Sequence, residues 1–173
     1  MRVYEFEKNK IYISSEVHDS IRSQLSEETH SFIKIRTKIM TNQFTKRKLV
    51  KKLLENYSKK TDLEGFIMLD AHGTESNPWT FKDGYKDLDV QNWIDKIDGN
   101  SLAILLYICN PKNLPITSKK SIVIHSNKNI LLDKLGFFPL DGFINGKNIR
   151  IYFPNNGYLD SYYKLKKVIE SLG

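Results

Sequence analysis

Two runs in the chain are apolar almost without interruption, "GFIMLDA" at 65–71 and "LAILLYI" at 102–108. Each is too short and too continuous for an amphipathic helix, and such runs mark strands buried on both faces. "RVYEFEKNKIYIS" reads as two short strands turning at Lys8-Asn9. "SFIKIRTKI" at 31–39 alternates Ile35, Thr37 and Ile39 as a strand does. Two more strands are predicted at "SIVIHS" (121–126) and "NIRIYF" (148–153).

Helical spacing appears between these runs. Residues 16–26 place Val17, Ile21 and Leu25 on one face, and residues 42–60 do the same with Val50, Leu53, Leu54 and Tyr57. Val90, Trp93, Ile94 and Ile97 predict a helix over 87–97, with Gly99 as its stop. "NKNILLDKL" predicts a short helix closed by Gly136. "GYLDSYYKLKKVIESLG" predicts a closing helix with Tyr158, Tyr162, Leu165, Ile169 and Leu172 on one face. Residues 72–87 are rich in Gly, Pro, Asn and Asp and predict a long loop, with a small hairpin at "WTFKDGYKD". Strands alternating with helices predict an α/β fold, a three-layer sandwich around a mostly parallel central sheet of about six strands. No repeat, low-complexity tract or linker interrupts residues 1–173, so a single domain is expected.

Composition changes this picture little. At 40% hydrophobic and 27% charged residues the chain has the balance of a globular protein. No apolar stretch approaches the roughly 20 residues that cross a bilayer, so no membrane association is expected. "MRVYEFEKNK" lacks the apolar core of an export signal, and the lone Cys109 has no internal disulfide partner, so a reducing cytoplasm is the expected location. The net charge of +7 is spread along the sequence. Its densest group, "TKRKLVKKLLENYSKK" at 45–60, reads first as the solvated face of an amphipathic helix and only unspecifically as a nucleic-acid contact.

The chemistry concentrates at two strand ends. His72 and Gly73 follow the first apolar run, and Cys109 ends the second. Sites in open α/β sheets form outside the carboxyl ends of the strands, and strands joined by one helix are usually neighbours. The pair is therefore expected side by side. A thiolate is a strong nucleophile that an imidazole can activate and serve with protons, and a glycine N–H can approach a developing oxyanion. Each residue also has a plainer reading, Cys109 as a small buried hydrophobe and His72 as a loop anchor. Asp70 shares a strand face with His72 and can orient it or meet a basic substrate group, or else is a solvated strand-end carboxylate. Asp83 and Asp87 are candidate substrate-binding residues by location. Trp79 and Phe81 either line a pocket or close the loop over the core. His18 and His30 read as surface residues, and His125 as a packing residue in its strand. No metal-ligand spacing, phosphate loop or dinucleotide loop is present, so neither metal nor cofactor is expected.

Apolar strand then His-Gly ("IMLDAHG"), helix, apolar strand then Cys ("ILLYIC") resembles the caspase–gingipain–separase group of cysteine peptidases. The order of the predicted elements is similar to that caspase-like fold over most of the chain. The resemblance implies a His72–Cys109 dyad that hydrolyses peptide bonds, with the Gly73 N–H contributing to the oxyanion hole. A protein or peptide is then the substrate. Here Ile108 precedes the cysteine and Asn110-Pro111 follow, where family members often carry small residues. The alternative is a catalytically inactive module of the same fold, using its basic surface for nucleic acid or an acidic protein partner. The segment "NPKNLPITSKK" at 110–120 is expected as an exposed excursion.

Overall fold

The computed structural model describes residues 1–21, 48–74, 79–108, 116–126, 149–154 and 157–159, with Lys167, Glu170 and Ser171. The chain begins with a hairpin, β1 (Arg2–Phe6) and β2 (Asn9–Ile13), turning through Glu7 at φ 55. Helix α1 (Ser15–Ile21) follows, then α2 (Lys48–Thr61) and β3 (Phe66–Ala71). The hairpin β4 (Thr80–Asp83) and β5 (Lys86–Asp89) leads into α3 (Val90–Ile97). Strands β6 (Ala103–Ile108), β7 (Ile122–Ser126), β8 (Ile149–Phe153) and β9 (Gly157–Leu159) complete the order. Lys167, Glu170 and Ser171 are helical.

A seven-stranded sheet runs in chain order, β1-β2-β3-β6-β7-β8-β9, and β4-β5 form a separate pair. Parallel pairing is confined to the centre, β2 to β3, β3 to β6 and β6 to β7. The outer strands β1, β8 and β9 pair antiparallel. Every residue of β6 is buried, as its unbroken apolar sequence requires of a central strand. The fold is thus mixed α/β, with parallel pairs at the centre of the sheet and antiparallel pairs at its edges.

Helix α3 covers one face. Asp89 caps its start by accepting a hydrogen bond from the Asn92 N–H. Its apolar side, Val90, Trp93, Ile94 and Ile97, packs with Ile67, Leu69 and Ala71 of β3 and Ile104, Leu106 and Ile108 of β6. Tyr152 belongs to the same cluster. Side-chain alternation puts Phe153 on the opposite face, where Tyr57 of α2 meets it edge-on at 6.2 Å. Helices therefore lie on both faces.

The turn chemistry explains the junctions. The β4-β5 hairpin closes through two residues, and Gly84 takes φ +67 as the first of them, the glycine position of a type II′ turn. Gly65 enters β3 at φ +71 with its α-carbon against the Lys8 carbonyl, where a Cβ would stand 1.9 Å from the oxygen.

Several sequence expectations shift. Residues 86–89 are strand, so the helix expected over 87–97 begins at Val90. Gly157–Leu159 form β9, antiparallel to β8, instead of opening the closing helix. His18 is buried, not on the surface: its Nε2 lies 3.1 Å from the Tyr4 hydroxyl, and the rings stack at 6.4 Å. The expected strand 31–39, the helix at 127–135 and His30 lie outside the described residues. Among the described residues no helix is long and apolar enough to cross a membrane.

Candidate active site

The carboxyl ends of β3 and β6 are flush. Their register runs from Phe66 against Ala103 to Ala71 against Ile108, the last residue of each strand. His72 is the residue after Ala71, and Cys109 is the residue after Ile108. Cys109 itself lies outside the described residues, as do 75–78 and 110–115. The strands that carry the two candidates are hydrogen-bonded neighbours, as their connection through α3 predicted.

His72 is exposed, and its carbonyl accepts the Lys82 N–H at 2.8 Å. The Thr74 N–H donates to the Thr80 carbonyl at 3.0 Å, and the two threonine hydroxyls are also hydrogen-bonded. These bonds flank an antiparallel bridge between Gly73 and Phe81. Gly73 is thus the non-hydrogen-bonded member of the pair, with its N–H turned away from Phe81. Among the described residues that N–H has no hydrogen-bond acceptor. A strand-end imidazole open to solvent, followed by an unoccupied backbone donor, can exchange protons with a bound group and stabilise an anion beside it.

Asp70 is fully buried. It is not the solvated strand-end carboxylate of the plainer reading. Its register partners are Ile13 and Tyr107, both fully buried, so its side chain shares their face of the sheet. Alternation gives His72 the same side two residues on. The Asp70 carbonyl accepts the Ser14 N–H at 2.9 Å, which ties the start of α1 to the end of β3.

Asp83 is engaged by the start of the chain. Its Oδ1 accepts the Ser15 N–H at 3.0 Å and the Ser15 hydroxyl at 2.9 Å, and lies 2.7 Å from the Met1 amine. Burial pushes this carboxyl up, but the bonds from the amino terminus and Ser15 outweigh it and hold it below its ordinary value. Asp87 is exposed, across the hairpin from Lys82. Trp79 and Phe81 are buried in the α3 cluster, so they close the hairpin over the core. His125 packs as its strand position implied: it is fully buried, with Tyr152 stacked on it at 5.3 Å and Trp79 edge-on at 5.0 Å. Among the described residues no group of three or more His, Cys, Asp or Glu is placed to hold a metal ion.

The segment leading from β6 to β7 is anchored over its second half, contrary to the expected exposed excursion. Ile116 and Ser118 are buried. The Gln91 amide donates to the Thr117 carbonyl at 2.8 Å and accepts the Thr117 N–H at 3.0 Å. The Asp98 carboxylate accepts the backbone N–H groups of Lys119, Lys120 and Ser121. Sequence reasoning missed both clamps. Gln91 and Asp98 sit on or just past an amphipathic helix as ordinary polar residues, and nothing local marks partners more than 20 positions away.

Compared with protein-family models, with curated proteins and with solved structures, the chain matches none.

Proposed function

We propose that this chain is a caspase-like cysteine peptidase, with Cys109 as nucleophile, His72 as acid and base, and the Gly73 N–H as an oxyanion donor. The observation that carries the reading is the flush end of β3 and β6, Ala71 against Ile108, which leaves His72 and Cys109 as successive residues on neighbouring parallel strands. The outward N–H of Gly73 supports it further.

In this reading the Cys109 thiolate attacks the carbonyl carbon of a peptide bond. The carbonyl oxygen takes up negative charge beside the Gly73 N–H. The C–N bond breaks as the His72 imidazolium gives its proton to the departing amine. Water, deprotonated by His72, then hydrolyses the thioester and regenerates the thiol. Neither metal nor cofactor enters these steps. Asp70, on the same side of the strand as His72, is the candidate positioning residue. Asp83 is held by Ser15.

Hydrolysis of a mixed peptide library tests the reading. Turnover by the native chain that vanishes in Cys109→Ala is expected. Turnover that persists in Cys109→Ala would sink it.

A further inference from the structure

Helix α2 carries lysines at 48, 51, 52, 59 and 60, all exposed, and Glu55 is its one acidic residue. At 3.6 residues per turn Lys48, Lys52 and Lys59 fall within about 40° of one another around the axis. They form a straight stripe about 16 Å long at a rise of 1.5 Å per residue. Glu55 lies on the same side but is 3.8 Å from the Lys51 ammonium. Lys48, Lys52, Lys59 and Lys60 have no ion pair among the described residues. On the opposite, inward side of α2 the Tyr57 hydroxyl donates to the Lys120 carbonyl at 2.7 Å, so Lys119 and Lys120 stand apart from the stripe.

We propose that this lysine stripe binds the phosphate backbone of nucleic acid without reading its sequence. A row of ammonium groups suits a polyanion of regular charge spacing, because each contact releases a condensed counterion. The apolar side chains Val50, Leu53 and Leu54 of α2 are buried in the core, so they are not available to insert into a membrane. Among the described residues no exposed apolar or aromatic side chain interrupts the stripe, whereas protein interfaces centre on such anchors. Lys59 lies away from His72: the end of α2 leads into the amino end of β3, while His72 follows its carboxyl end, about 20 Å along the strand. The stripe shares no residue with the peptidase reading.

Fluorescence anisotropy with a mixed-sequence DNA duplex of about 20 base pairs, at about 50 and 200 mM KCl, tests the proposal. The native chain is expected to bind and to lose at least about tenfold in affinity across that salt range. Changing Lys48, Lys52 and Lys59 together to Glu is expected to weaken binding at least about tenfold more than the same change at Lys82, Lys86 and Lys96, which are exposed elsewhere. Gln at the three stripe positions, a comparable helix former, is expected to weaken it in the same direction. Equal losses in the stripe and control variants would reduce the effect to diffuse attraction by the net charge and overturn the proposal. So would tighter binding to polyglutamate than to DNA, or binding to anionic vesicles without binding to the duplex.

Discussion

Ala71 and Ile108 face each other as the last residues of two neighbouring parallel strands, β3 and β6. Both are buried, and both side chains point into the cluster under α3. Strand alternation then turns the next residue after Ala71, the exposed His72, toward the other face. A one-residue slip between β3 and β6 would break this alignment of their two ends.

The entry to β3 depends on Gly65. A Cβ there would stand 1.9 Å from the Lys8 carbonyl oxygen, and the backbone is at φ +71. Gly65→Ala is expected to destabilise the fold by about 2–4 kcal/mol, from steric overlap plus left-handed strain. Gly84→Ala has the strain at φ +67 but open space around it, and about 1 kcal/mol is expected. Chemical denaturation of the two variants checks the order.

Asp83 joins the β4-β5 hairpin to the start of α1. Its carboxyl is held below the ordinary 3.8, so it contributes stability that is fully present above that value and is lost as pH falls through the lower folded value. Asp83→Asn is expected to cost about 1–2 kcal/mol at neutral pH. The gap from the native chain is expected to close as pH drops below 3.8. Unfolding free energies measured from pH 7 downward check both the size and the window.

Asp98 holds the approach to β7 through the N–H groups of Lys119, Lys120 and Ser121. Asp98→Ala leaves those donors without their carboxylate and is expected to cost about 1–3 kcal/mol. Amide hydrogen exchange is expected to accelerate at Lys119 to Ser121 while the β6 amides keep their protection.

The central strands were legible because burial on both faces leaves an unbroken apolar run, as in "AILLYI". The β4-β5 hairpin was legible from "DG" between short strands. The edge strand β9 was not, since Tyr158 fits helical spacing as well as a strand, and only its pairing with Tyr152 of β8 decides between them. Long-range polar partners escaped entirely. The burial of His18 depends on Tyr4 across a hairpin, and the engagement of Asp83 depends on Ser15, 68 positions away. The candidate pair was readable because each member ends an apolar run, a local feature. The burial of Asp70 follows from its neighbours Ile13 and Tyr107 on adjacent strands.

The most direct test of the His72–Cys109 pairing is the rate at which a peptidyl acyloxymethyl ketone labels Cys109 in the folded protein. His72→Ala is expected to slow that labelling by at least about 100-fold, the lower end of what a positioned acid–base group contributes. A small thiol reagent under denaturing conditions is expected to label both proteins alike. Equal ketone labelling rates in the two folded proteins would contradict the account.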